Sequence, residues 1–268
     1  MRNRSGRSDA SRSTKLRSIG LARALSKLGI CSRSEAAKLI RAGRVKLNGA
    51  LRRDPETPVH LGKDRIEMDG SPLAKSERLY LALNKPRGVL TTASDEKGRE
   101  TVYSYLPENF PWVAPVGRLD MASEGLLLLT NDSEWAARIS SPETHLDKTY
   151  HVQIGAIADE NLLAALRNGI HSSEDGELLR AKRASLLRRG ERNSWIEIVL
   201  DKGKNRQIRR MLEQLQIEVL RLVRVAIGPL TLGEVAKGKT RVIEKDEKQA
   251  LDRAMRALNR EPASSVRS

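Results

Sequence analysis

Four leucines in a row, Leu126 to Leu129, place the tightest limit on how this chain folds. The run is bracketed by Gly125 and by Asn131-Asp132. It is too short for a helix and offers no polar side, so it reads as a buried strand. Just upstream stands Gly117-Arg118-Leu119-Asp120, followed by Met121-Ala122-Ser123-Glu124. A carboxylate, Asp120, therefore falls where a turn meets a buried strand. Carboxylates are almost never fully buried unless something pairs with them. Asp120 either performs chemistry in a closed site or anchors a network.

The surroundings of that strand set the fold class. Period-two segments predict strands over 79–83, 150–154 and 219–227, and a hairpin of 178–187 and 195–200 with a basic loop between. Helices are expected over 161–167, capped by Asp159 and ended by Gly169, and over 205–215. Ser133 is placed to cap a short helix after the leucine strand. With aromatics at only 3%, the core has to be aliphatic. The mixture predicts an α+β fold: a small N-terminal domain of helices and a hairpin, then a domain with a central, largely antiparallel mixed sheet flanked by helices. The expected boundaries are a disordered basic arm over 1–18, the small domain over 19–70, a polar linker over 71–78, the larger domain over 79–245, and a polar helix with a frayed tail over 246–268. The arm holds five arginines and five serines against one aspartate, and cannot bury a core.

Charge narrows the partner. Lys and Arg number 49 against 34 Asp and Glu, a net charge of +15. Such a surplus points to a polyanion, with nucleic acid first and an anionic membrane second. The membrane is the poorer fit, because no apolar run approaches the roughly 18 residues of a spanning helix. One cysteine, Cys31, excludes an intramolecular disulfide and fits a reducing compartment, hence the cytoplasm. The four histidines show no metal-ligand spacing, so no metal is expected. Neither a phosphate-loop nor a dinucleotide fingerprint is present, so no cofactor is expected either.

The first 70 residues carry legible punctuation. Leu21, Leu25 and Leu28 recur at helical spacing up to Gly29, and Ser32-Arg33-Ser34-Glu35 is a capping box for a second helix reaching Gly43. Val45-Lys46-Leu47 alternates like a strand and meets Asn48-Gly49, a strong hairpin signal. Two helices joined by a glycine turn would also suit a DNA-binding helix-turn-helix, but the basic hairpin that follows argues against it. The segment resembles the RNA-binding domain named after ribosomal protein S-four, through Leu-Ala-Arg-Ala-Leu, Cys-Ser-Arg-Ser-Glu-Ala and Gly-Arg-Val-Lys-Leu-Asn-Gly. By charge and placement, Arg23, Arg33, Arg41, Arg44 and Lys46 are the candidate RNA contacts.

A second basic segment is Lys202-Gly203-Lys204-Asn205-Arg206-Gln207-Ile208-Arg209-Arg210. Ile208, Met211, Leu212 and Leu215 mark the inner side of the helix it opens, which leaves Arg206, Arg209 and Arg210 on the other side. Positive charge near a helix start is disfavoured by the macrodipole, so the cluster suggests phosphates, a buried carboxylate, or both, with a purely structural salt-bridge role open because Glu213 and other acids lie near in sequence. Lys204, Arg206 and Arg210, with Lys85 and Arg87 in the turn after the first strand, complete the candidate RNA contacts.

Taken in order, Gly-Arg-Leu-Asp, Ser-Glu-Gly-Leu-Leu-Leu-Leu-Thr-Asn-Asp, Lys-Thr-Tyr-His-Val, Gly-Lys-Asn-Arg-Gln-Ile-Arg-Arg-Met and Leu-Arg-Leu-Val-Arg-Val-Ala-Ile-Gly-Pro-Leu resemble the RsuA/RluB family of pseudouridine synthases. The resemblance spans residues 21–243, and the family commonly carries an S-four-like domain in front. It implies isomerisation of uridine in ribosomal RNA, free or in an assembling subunit; separately from the resemblance, a monomer is expected, since action on RNA needs no more. It also implies that Asp120 is catalytic, that Tyr150 stacks on a flipped-out base, that Arg209 pairs with Asp120, and that Ile208 helps form the pocket floor. Arg118 and Leu222 fall on further motif positions. An ionised aspartate could attack the ribose, attack the ring or remove a sugar proton, and the residues leave all three open. The competing readings are a non-catalytic RNA-binding or ribosome-assembly protein, a DNA-binding regulator and a base-excising glycosylase.

Overall fold

A computed structural model describes residues 18–93 and 95–258, so the expected basic arm, save its last residue, and the frayed tail lie outside the described residues. The chain divides into two compact units, residues 1–76 and 77–268.

The first unit is built from helices α1 (Leu21–Lys27) and α2 (Arg33–Arg41) against a small sheet. Gly29 takes φ +80° after α1, a backbone that favours glycine. The Glu35 amide donates to Ser32 Oγ at 3.1 Å, so the serine half of the capping box forms as expected. The Val45–Leu47 strand folds back through Asn48 and Gly49, both at positive φ, onto Ala50–Arg52. It pairs on its other edge with Ile66–Met68. Ser71–Pro72, within the expected linker, adds a fourth strand. Leu21, Leu25, Ile40, Val45 and Val59 are fully buried between helices and sheet.

The second unit is dominated by one mixed sheet. Its main path runs Arg183–Arg189, Ser194–Leu200, Lys148–Ile154, Val219–Ile227, Glu124–Thr130, Tyr80–Lys85 and Thr240–Val242. Every pairing on that path is antiparallel except one. The exception joins Val219–Ile227 to Glu124–Thr130 in parallel through only two register pairs, Val223 with Glu124 and Arg224 with Gly125. Further along, the same edge of Glu124–Thr130 pairs instead with Ala114–Val116. The sheet therefore forks at Gly125, and a cleft opens in the fork. Gly125 makes the close approach possible: its φ is +100°, and a Cβ there would lie 2.3 Å from the Arg224 carbonyl oxygen.

All seven residues of Glu124–Thr130 are buried. Leu127 and Leu129 pack into a core with Val152, Ile198 and Met211, while Leu126 and Leu128 pack on the other side with Trp135, Leu251 and Met255. The unbroken leucine run is thus a strand between two cores. Helices α3 (Ser133–Ser140), α4 (Glu160–Asn168), α5 (Gln207–Gln214) and α6 (Lys245–Leu258) complete the unit. The cap of α3 is Asp132 rather than Ser133: its carboxylate accepts from the Trp135 amide at 3.2 Å. The carboxylate one residue earlier reaches that amide, which places Ser133 inside the first turn. Asp159 and Gly169 begin and end α4 as expected.

Candidate active site

A cavity of about 300 Å³ occupies the cleft at the fork. Asp120, Arg118, Tyr150, Ile208 and Leu222 all line it, with Lys204 and Arg206 among the other lining residues. Residues from the turn before the leucine strand, from two neighbouring strands and from the start of α5 thus converge on one space. Tyr150 and Leu222 lie on the same side of adjacent strands, Tyr150 in register with Arg224 and Val152 with Leu222. Tyr150 is 9% exposed and Leu222 6%, each with its surface turned to the cavity.

Asp120 is half-buried rather than enclosed. Its carbonyl closes a turn by accepting from the Ser123 amide at 2.9 Å. The same carbonyl accepts at 3.2 Å from the ammonium of Lys85, which also donates to the carbonyls of Pro86 at 3.0 Å and Ser123 at 2.9 Å. Lys85 is fully buried, so the expectation that it meets RNA at the surface is corrected. It closes the apolar Tyr80–Lys85 strand at a position whose side chain turns inward, and its charge is matched by carbonyls of the Asp120 turn. Burial pushes its ammonium down to about 8, against the pull of Asp120 and Glu124.

Arg209 stands close enough to Asp120 for the two charges to attract, but its guanidinium donates to the Ala122 carbonyl at 3.0 Å instead of forming an ion pair with the carboxylate. It therefore braces the Asp120 turn at a carbonyl that Lys85 does not use. Burial, with the charge of Arg206 next, lowers its pKa. Arg210 corrects another expectation. It is 8% exposed and donates to Asp175 Oδ1 and Ser172 Oγ, both at 2.6 Å, with Glu174 at 3.1 Å from Nε. These groups occupy the guanidinium, so Arg210 does not face RNA. Helical spacing alone set it beside Arg206, but α5 begins only at Gln207, after Arg206 at φ +48°. Lys204 pairs with Glu177 at 2.7 Å, and the exposed Arg87 donates to the Leu220 carbonyl. Arg206 and Arg118 carry no ion pair among the described residues. In the first unit Arg23, Arg33, Arg41 and Lys46 are exposed, while Arg44 is held by Asp69 at 2.9 Å.

Among the further residues that line the cavity, Ser123, Lys148 and Arg224 stand within the quoted motifs but were given no role there. The signal was available. Lys148 lies two residues before Tyr150 and Arg224 two after Leu222, and the strand period of two puts each on its neighbour's side. Among the described residues no cluster of His, Cys, Asp and Glu could hold a metal ion.

Comparison with known proteins identifies the family. Residues 79–214 match the RNA pseudouridylate synthase family, and residues 19–66 match the S4 domain. The chain belongs to the RNA pseudouridylate synthase family. The ribosomal large subunit pseudouridine synthase B of Bacillus subtilis is 37% identical over 233 residues, covering 86% of this chain and 94% of that protein. An RNA pseudouridine synthase of Aquifex aeolicus, itself uncharacterized, is 37% identical over 86% of this chain and 92% of its own length. A crystal structure of a pseudouridylate synthase superposes with a TM-score of 0.62 at 30% identity, covering 87% of this chain and 99% of that one. The protein is thus an isomerase with an RNA-binding domain in front of its catalytic domain.

Proposed function

We propose that the protein converts uridines of ribosomal RNA to pseudouridine, working as a monomer in the cytoplasm, with Asp120 as its catalytic residue. One observation carries the reading: Asp120, Tyr150, Ile208 and Leu222, drawn from separate elements, share one cavity. In the isomerisation the bond from ribose C1′ to uracil N1 breaks and a bond from C1′ to C5 forms. The C5 proton leaves to solvent and N1 gains one, so no oxidant or hydrolytic water is consumed.

The cavity suits each requirement of that reaction. A target base inside a stacked helix is out of reach, so it has to be extruded, and the Tyr150 ring offers it a flat face. Ile208 and Leu222 exclude water around it. Lys85 and Arg209 hold the Asp120 turn by its carbonyls and leave the carboxylate open to the cavity. From there the carboxylate can attack ribose or ring, or remove a sugar proton. The exposed arginines of the first unit supply sequence-independent attraction to phosphates.

The test uses unmodified ribosomal RNA carrying tritium at uridine C5, with large-subunit RNA first because the Bacillus relative is named for that subunit. The wild-type protein releases tritium, and Asp120→Asn lowers the rate by roughly a thousandfold, in the range expected for loss of a group acting on protons or bonds in the transition state. Undiminished release by the variant would sink the role of Asp120. No release from any ribosomal RNA or subunit would leave an RNA-binding protein.

A further inference from the structure

Resting on the reading of this cavity as a pseudouridine synthase site, we propose that Lys148 and Arg224 form a phosphodiester subsite in its wall, which takes a backbone phosphate beside the extruded uridine while the base lies against Tyr150.

The argument begins with strand geometry. Lys148 and Tyr150 are two residues apart on one strand and share its side, and Arg224 is the direct register partner of Tyr150 on the next strand. All three line the cavity. The platform proposed for the base thus has two neighbouring cations, one along its own strand and one across from it.

Neither cation has an ion-pair partner among the described residues, although Asp147 and Asp201 attract Lys148 from further away. Arg224 is 6% exposed, yet only its Nε is engaged, donating to the Leu126 carbonyl at 2.7 Å. One of its terminal nitrogens is buried with no hydrogen-bond partner among the described residues. No carboxylate lies within ion-pair distance of Arg224 or of Lys148 among the described residues. Asp147, next to Lys148 in sequence, pairs with Lys182 at 2.9 Å instead. Burial lowers the Lys148 pKa, and the neighbouring Arg224 lowers it further. A half-buried and a buried like charge side by side are costly unless an anion joins them. Elsewhere in the unit Lys85 is matched by three carbonyls, and Arg210 has carboxylates within ion-pair distance although its Nε makes no hydrogen bond. A third group without a partner, the buried Ser123 hydroxyl, also lines the cavity.

The chemistry selects the ligand. A uracil carbonyl is neutral and would leave the repulsion between Lys148 and Arg224 in place. A phosphodiester carries a full negative charge on two free oxygens, one for each cation, and such charge-assisted bonds are the strong kind. The substrate delivers that group covalently attached to the nucleotide it has to position.

A substrate-side double-mutant cycle tests the proposal. Short RNA substrates carry a single neutral methylphosphonate at each linkage flanking the target uridine, and single-turnover rates are measured for wild type and Lys148→Met. One linkage is expected to slow the wild type by about tenfold or more when neutralised, while Lys148→Met, already slow, loses less than about twofold from the same change. Lys148→Arg, which keeps the charge, should keep the sensitivity. Arg224→Lys, which keeps a cation while giving up the Leu126 contact, gives the second reading if Lys148→Met fails to fold. Equal losses in wild type and Lys148→Met, or no sensitive linkage at all, would overturn the subsite. Turnover of the unmodified RNA by the wild type is the control: its absence strikes the function, whereas turnover without coupling strikes only the subsite.

Discussion

The cations of the two units are alike in sequence and opposite in situation. In the first unit Arg23, Arg33, Arg41 and Lys46 project into solvent with no ion pair among the described residues. In the second, Lys85 is fully buried on backbone carbonyls, Arg210 is enclosed by Glu174 and Asp175, and Lys204 is paired with Glu177. The first set is free to meet phosphates and the second mostly holds the catalytic unit in shape. A basic motif therefore indicates a need for negative charge or lone pairs, but not whether RNA or the protein supplies them.

Substitutions sharpen that contrast. The largest effect is expected at Lys85, where Lys85→Met frees the Asp120 turn and should lower kcat by roughly a hundredfold, the cost of a misplaced reacting group. RNA affinity measured by filter binding should stay within about twofold, as no phosphate contact is lost. A salt-dependent drop in affinity instead would place Lys85 with the surface cations and break the comparison.

The same lysine gives a signature in pH. Its native value of about 8 lies below the ordinary 10.5, so between these values the unfolded chain holds a proton that the native state has shed. Unfolding free energy should rise with pH across that window, by up to about 3 kcal/mol from this group, and the rise should be missing in Lys85→Met. Over the same window kcat should fall, because a neutral amine has too few N–H groups for three carbonyls. Chemical denaturation and rate profiles between pH 7 and 10.5 read both.

Arg210→Met should cost about 2 kcal/mol in thermal unfolding, discounted because its acidic partners are partly exposed, with little change in RNA affinity. The smallest effects belong to the first unit. Replacing both Arg33 and Arg41 with Gln should leave stability unchanged and weaken RNA binding, and the slope of log affinity against log salt should fall by about one for each charge removed. An unchanged slope would mean that these arginines only solvate the surface.

The elements were readable where local rules act alone. The leucine run, the Asn48-Gly49 turn and the ends of α4 each follow from a short-range signal. Asp120, Tyr150, Ile208 and Leu222 could be named because each sits in a recognisable motif. The roles of Lys85 and Arg210 were not readable, because their partners lie up to 38 residues away and are backbone carbonyls or loop acids that no local signal ties to them. Lys148 and Arg224 were hidden differently. They stand within quoted motifs, two residues from Tyr150 and Leu222, and the strand period gives each its side, but the pairing of the two strands is needed to bring them together.

The fork at Gly125 has a consequence in time. The contacts that close the cleft join residues far apart in the chain: Arg224 to Leu126 across 98 positions, Arg221 to Glu124 across 97, Arg209 to Ala122 across 87. Such non-local closures form late in folding, because the entropy of a long loop must be lost before they are made. The first unit needs nothing beyond residue 76. During synthesis the RNA-gripping part of the enzyme is therefore complete while the catalytic cavity does not yet exist.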